Sequence, residues 1–173
     1  MDIIIRQETK NDFRAVYSLT KSAFGQVNES ELIEALRKSH TFVPELSLVA
    51  IIDSQIVGHI LFTKIIISDP AGFENSSLSL APLSVDPRFQ RQGIGGQLIR
   101  FGLNKAKELG YKSVIVLGHE HYYPKFGFSP SSKWDIKAPY DVPENAFMGI
   151  ELVENGLMNA RGTVQYPKEF DNL

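Results

Sequence analysis

Val85-Asp86-Pro87-Arg88-Phe89-Gln90-Arg91-Gln92-Gly93-Ile94-Gly95-Gly96 decides how this chain is to be read. An apolar run precedes it, a long helical pattern follows, and three of its last four residues are glycine. Glycine permits positive φ and lets another molecule come close to the backbone. The first amides of a helix lack partners within it and stand at the positive end of its dipole. A glycine-rich turn leading into a helix is therefore a cradle for a phosphate or diphosphate. A phosphorylated cofactor is expected at this corner.

Outward from it, residues 78–85 are expected to form a strand. Pro82 lies within that strand and cannot donate to a ladder, which predicts a bulge or a local loss of pairing. On the other side, residues 94–109 carry the strongest helical pattern. Ile94, Leu98, Phe101, Ala106 and Leu109 line one face, Ile99 and Leu103 widen it, and Gly110 stands where a left-handed cap belongs. Ser-Val-Ile-Val-Leu at 113–117 reads as a strand covered on both faces. Together these make one right-handed βαβ crossover. Earlier in the chain the pattern gives a strand at 3–6, a helix at 10–23, and a second helix from Asn28 that His40 and Pro44 stop. A hairpin of 46–52 and 56–67 then turns at Asp53-Ser54-Gln55. Residues 70–76 read as a polar loop, and 147–153 and 162–166 as late strands.

Spacing narrows the cofactor. No Gly-x-x-x-x-Gly-Lys-Ser/Thr run occurs, and the dinucleotide pattern Gly-x-Gly-x-x-Gly fails at its third glycine, where Leu98 stands. Gln90-Arg91-Gln92-Gly93-Ile94-Gly95 instead fits Gln/Arg-x-x-Gly-x-Gly/Ala. In this the segment resembles the acetyl-CoA diphosphate loop of the GNAT superfamily of N-acetyltransferases. Tyr123-Pro124-Lys125-Phe126-Gly127-Phe128 matches a second family feature, Tyr-x-x-x-Gly-Phe, one helix and one strand further on. Leu117-Gly118-His119, and the tail around 146–152 and 162–167, look like the YhbS-type branch of bacterial acetyltransferases.

The resemblance implies an α/β (α+β) fold with a mixed, mostly antiparallel central sheet and helices on both faces. The sheet would be splayed between the parallel strands 78–85 and 113–117. All of 1–173 would form a single domain, with a core of about 3–128 and an extension over 129–173 that completes the sheet beside the acceptor cleft. It also implies transfer of an acetyl group from acetyl-CoA to a primary amine, on a small molecule or a peptide, by direct attack in a ternary complex. Leu83, Ser84 and Val85 would bind pantetheine through backbone groups freed by the bulge, and one amide would polarise the thioester carbonyl. Such a donor is worth roughly 2.7–4 kcal/mol in other enzymes. Arg91, Gln92, Gly93, Ile94, Gly95 and Gly96 would hold the diphosphate. Tyr123 would protonate the departing thiolate, since a phenol (~10) lies only mildly above a thiol (~8.5). Adjacent residues should face different ways, so Tyr122 is assigned to packing.

The general base stays open among Glu120, His119, His121, Ser84 and a water chain. Two rival readings also stay open: a non-catalytic acetyl-CoA-binding regulatory module, and an enzyme of the dinucleotide class. His119-Glu120-His121 lacks the His-Glu-x-x-His spacing, so no metal is expected. His59 and Trp134 read as packed side chains.

Composition limits the remaining classes. With 43% hydrophobic and 22% charged residues, the 173-residue chain is ordinary for a globular protein. A net charge of −2 gives no reason to expect nucleic acid. The absence of cysteine excludes disulfides, thiolate metal sites and a cysteine nucleophile. Met1-Asp2-Ile3-Ile4-Ile5-Arg6 starts acidic and turns charged again at once, so it does not read as a signal peptide, and no run is long enough for a bilayer; the expectation is a cytoplasmic protein without a membrane partner. Dimers are common in the family, which leaves a homodimer open beside a monomer.

Overall fold

Alternation along the two central strands sorts the helices onto opposite faces of one sheet. The structure, a computed structural model, describes residues 2–173 except the side chain of Asn172. The chain runs β1 (Ile4–Gln7), α1 (Phe13–Phe24), α2 (Asn28–Arg37), β2 (Phe42–Ile52), β3 (Gln55–Ser68) and β4 (Glu74–Val85). It continues through α3 (Ile94–Glu108), β5 (Ser113–Leu117), β6 (Ser129–Pro130), β7 (Ile136–Lys137), β8 (Phe147–Glu151) and β9 (Gly162–Gln165). Leu48, Ala50, Ile60 and Phe62 pack with Ile94, Leu98, Ile99 and Leu103 of α3. Their neighbours Val49 and Leu61 point the other way, onto Val16 of α1 and Leu32, Ile33 and Leu36 of α2. A period of two in the strands thus fixes which helix meets which face. A third cluster, holding Ile65, Ile67, Ile115, Phe147, Leu157 and Val164, is closed by the C-terminal segment.

The sheet order is β1-β2-β3-β4-β5-β8-β6, with β9 beside the far end of β3. Every pair along that main path is antiparallel except β4 with β5. The expected bulge is present: Leu83 faces Ile60 and Leu80 faces Phe62, so Ala81 and Pro82 together oppose Leu61. β4 and β5 share a single register pair, Ser79 with Ile115, and separate beyond it. β5 is then free to pair over its whole length with β8.

Several boundaries differ from the sequence reading. α2 ends at Arg37, and Pro44 lies inside β2, where the register against β3 slips between Phe42 and Ser47. A proline is tolerated at such an irregularity because no ladder donor is needed there. The loop expected over 70–76 is shorter, since Glu74, Asn75 and Ser76 already pair with β3. Phe101 is 41% exposed instead of lining the core. At 100° per residue it falls roughly 130° from the centre of the buried arc of α3. Gly102 holds the place nearer that centre, because a Cβ there would collide with the buried Phe62 ring. The late strands are shorter than expected, and the two-residue strands β6 and β7 had no legible pattern. Among the described residues, no helix is long and apolar enough to cross a membrane.

Candidate active site

The separation of β4 from β5 opens a cleft of about 960 Å³. The bulged residues Leu80–Leu83 and the end of β5 form its deep wall, and the glycine turn closes one end. The turn is held by short-range chemistry. The Asp86 carboxylate accepts from the Arg88 amide at 2.9 Å and from its guanidinium at 2.8 Å. The side-chain hydrogen bond from Arg88 keeps the Asp86 carboxyl below the usual carboxylate range. The Gln90 amide donates to the Val85 carbonyl at 3.0 Å and ties the turn to the strand end. Arg91 and Gly93 then take φ of 65° and 84°. That conformation comes freely to glycine, whereas for Arg91 it carries strain of order 1–3 kcal/mol.

The first helical bond of α3 runs from the Gln97 amide to the Gly93 carbonyl, at 3.1 Å. The amides of Ile94, Gly95 and Gly96 therefore have no acceptor within the helix. The glycines serve different ends. A Cβ on Gly93 would meet open space, so positive φ alone explains that residue. A Cβ on Gly95 would stand 3.0 Å from the Tyr122 hydroxyl, and one on Gly96 would stand 3.3 Å from the Phe126 ring and the Arg100 guanidinium. The last two glycines let aromatic side chains close onto the helix start.

Tyr122 and Tyr123 both line the cleft, edge to face with centroids 5.2 Å apart. Tyr122 packs against Phe126 and the main core, as the sequence reading assigns it, and it faces the cleft as well; the reason both neighbours reach the cleft is local. Tyr122 is αR and Tyr123 opens a 3-10 turn, so successive side chains rotate partway round an axis instead of alternating. Tyr123 is the deeper of the two, packed against Gly118 and Phe128. Burial pushes its phenol up to about 12. Burial also raises Tyr122, against a downward pull from the charge of Arg100.

Of the residues singled out in sequence, Leu83, Val85, Arg91, Gly93, Ile94, Gly95 and Gly96 line the cleft. Gln92 is exposed outside it, and Ser84 is buried on the other face of β4, where its hydroxyl meets that of Thr20 at 3.1 Å. The Ser84 side chain is thereby removed from the cleft wall, leaving only its backbone for the expected role. His119 rims the cleft, while Glu120 and His121 stand outside it beside each other. Trp134 packs into the third core cluster. Sequence reasoning missed the opposite wall, formed by Phe24, Glu29, Leu32 and Leu173. Only the folded sheet brings these residues to β4. Among the described residues, no group of three or more acidic or histidine side chains could hold a metal.

His59 sits in central β3 and is wholly buried. The Ser47 hydroxyl donates to Glu8 at 2.6 Å, so it must accept from His59 Nε2, 2.9 Å away. The proton is therefore assigned to Nε2, and Nδ1 is left without a partner. Burial holds His59 down to about 4; Glu8 opposes this, and Arg37 adds to it. Glu8 accepts from the Arg37 guanidinium at 2.8 and 3.0 Å. Burial alone would raise Glu8, but Arg37, His59 and Ser47 outweigh it and hold the carboxyl below its ordinary range.

A family model described as the GNAT acetyltransferase family matches residues 13–128. The chain is 30% identical over 172 residues to the N-acetyltransferase YhbS of Escherichia coli K12, covering 99% of this chain and all of that one. It is 39% identical over 138 residues to the N-acetyltransferase YjhQ of the same organism, 78% of this chain and 75% of YjhQ. The crystal structure of Escherichia coli YhbS in complex with CoA superposes with a TM-score of 0.89, at 29% identity over 98% of this chain and 92% of the other. A GNAT-family acetyltransferase from Brucella melitensis in complex with acetyl-CoA gives 0.80, at 31% identity over 98% and 99%.

Proposed function

The chain belongs to the GNAT acetyltransferase family, and from that premise we propose that it moves an acetyl group from acetyl-CoA to a primary amine by direct attack in a ternary complex. One observation carries the reading: the cleft passes between the splayed strands, with free helix amides at one end and two tyrosines within. The CoA-bound and acetyl-CoA-bound relatives support the choice of co-substrate. The chain's own residues fit it as well, since Arg91 and Lys125 add positive charge at the glycine end. The amides of 91–96 would hold the diphosphate, and backbone groups of Leu83, Ser84 and Val85, beside the bulge, would receive pantetheine. An amide there would polarise the acyl carbonyl as negative charge develops on its oxygen.

Tyr123 would face the departing thiolate. With its phenol near 12, complete transfer to an ordinary thiolate (~8.5) is uphill by about 5 kcal/mol, a steeper gap than an unburied phenol gives. Tyr123 therefore acts by donating a hydrogen bond that stabilises the thiolate, and solvent delivers the proton. Direct attack is supported by the absence of cysteine and by Ser84 facing away from the cleft. In this reading residues 1–173 act as one cytoplasmic domain.

Thermal-shift titration with CoA, followed by CoA-release assays over an amine panel, tests the proposal. Stabilisation by CoA with turnover on at least one amine is expected. Tight CoA binding with no turnover would make the protein a regulatory module, and stabilisation by NAD(P) but not CoA would overturn the reading.

A further inference from the structure

Beside the cleft lies a second cavity of about 720 Å³ whose walls include Tyr140, Tyr166, Phe170, Asp171 and Leu173. Leu173 also lines the cleft, so the two spaces meet at one residue. Phe170 in its wall packs with the cluster under α1 and α2, and no residue of the glycine turn lines it. Its rings are organised: Tyr140 and Tyr166 stack with centroids 6.4 Å apart, and Phe170 meets Tyr166 at 5.1 Å. Aromatic faces carry negative quadrupole density and attract alkylammonium groups.

Charge divides in the same direction. Arg91 and Lys125 line the cleft, whereas the aromatic cavity has no lysine or arginine in its walls and does have Asp171. Glu29 lines the cleft on this side, and its carboxylate is hydrogen-bonded by the neutral Gln26 amide at 2.9 Å. We propose that this aromatic cavity binds a second positive charge on the acceptor, so that the preferred substrate is an elongated dication. One ammonium would rest against Tyr140 and Asp171 while the other amine, in its neutral form, reaches the acyl group. The apolar Leu32 and Leu173 would line the path of the connecting methylenes. The same chemistry is offered by a free diamine and by a lysine side chain near another cation in a peptide.

This inference rests on the acetyltransferase reading, and the test separates the two. Initial rates at saturating acetyl-CoA would compare 1,5-diaminopentane, pentylamine, 5-aminopentanoate and a short peptide bearing two lysines. The expected order places the dications first, pentylamine well behind and the carboxylate last. Asp171→Asn should raise KM for the diamine roughly tenfold, as loss of a charge-assisted contact does, with kcat unchanged. Tyr140→Leu, at a half-exposed ring, should raise it about threefold. CoA affinity by calorimetry should not move in either variant. Equal efficiency with pentylamine and 1,5-diaminopentane, or unchanged KM in both variants, overturns the proposal. A peptide preferred over the diamine identifies the source as protein and supports it. Should no acceptor turn over, calorimetry of 1,5-diaminopentane against the CoA-loaded protein decides. Binding weakened by Asp171→Asn keeps the cavity's role while the catalytic reading falls; no diamine binding removes the cavity's role.

Discussion

Replacing His59 by Gln should flatten the acid side of the stability profile. The ring titrates near 6.5 when unfolded and about 4 when folded. The folded pKa is the lower, so the unfolded chain takes up the proton first. Stability from the neutral ring is complete above 6.5 and is lost progressively as pH falls toward 4. Over the full gap the loss is about 3 kcal/mol, and between pH 7 and pH 5 it is about 2 kcal/mol. For a chain of this size that is a fall in Tm of roughly 4–8 °C. The cause is structural: protonation would place an N–H on Nδ1, which has no acceptor. Glutamine can keep a donor toward Ser47 but does not titrate. Its own packing cost applies at every pH, so the measured quantity is the slope of stability against pH. Urea denaturation at pH 7, 6 and 5 for both proteins gives that slope. If wild type and His59→Gln lose the same stability across this range, His59 is not held neutral by burial and the argument fails.

Gly95→Glu should abolish CoA binding in calorimetry, because a carboxylate would meet the diphosphate and the side chain would displace Tyr122; unchanged affinity would refute the cradle. Tyr123→Phe should lower kcat by about a hundredfold, the loss of one hydrogen-bond donor to a developing anion, with little change in CoA affinity. A loss seen in Tyr122→Phe instead would transfer the role to its neighbour. Gly118→Ala should destabilise the fold by about 1–3 kcal/mol, measured by denaturant melts, since its Cβ would overlap the buried Tyr123 ring. Stability equal to wild type would mean that ring can move aside freely.

What was legible in sequence was whatever a local rule controls. Pro82 announced the bulge because a missing donor cannot be compensated within the strand, and Gly110 marked the end of α3 through its φ of 95°. The glycine turn was legible for the same reason. The far wall of the cleft was not. Phe24, Glu29, Leu32 and Leu173 are scattered across the chain, and only the packing of α1 on β3 and β4, of α2 on α1, and of the C-terminal turn on α2 brings them together. The glycines themselves were only half understood. Their backbone freedom was visible, whereas the reason for Gly95 and Gly96 lies in Tyr122 and Phe126, nearly 30 residues away. That Tyr122 and Tyr123 share the cleft was not legible, because side-chain alternation belongs to strands and this segment turns.

The same geometric event supplies both ends of the site. Once Ala81 and Pro82 leave the ladder, β4 cannot keep its parallel partner, and β5 parts from it after Ser79 and Ile115. The gap admits a long thin ligand from the α3 side, where helix amides and cationic side chains stand. It also opens toward α2, where acidic and aromatic groups gather. A donor thioester and an acceptor amine can then meet in the gap from opposite faces of one sheet, without either crossing the other's path. Arg37 strengthens this arrangement from a distance. Its pair with Glu8 anchors the C-terminal turn of α2 to the segment just after β1, while the first turn of the same helix presents Glu29 to the cleft. If the amine enters along this wall as proposed, Arg37→Ala should raise its KM as well as lower the Tm, because the helix carrying Glu29 is fixed at its other end; an unchanged KM beside a lowered Tm would confine the pair to stability.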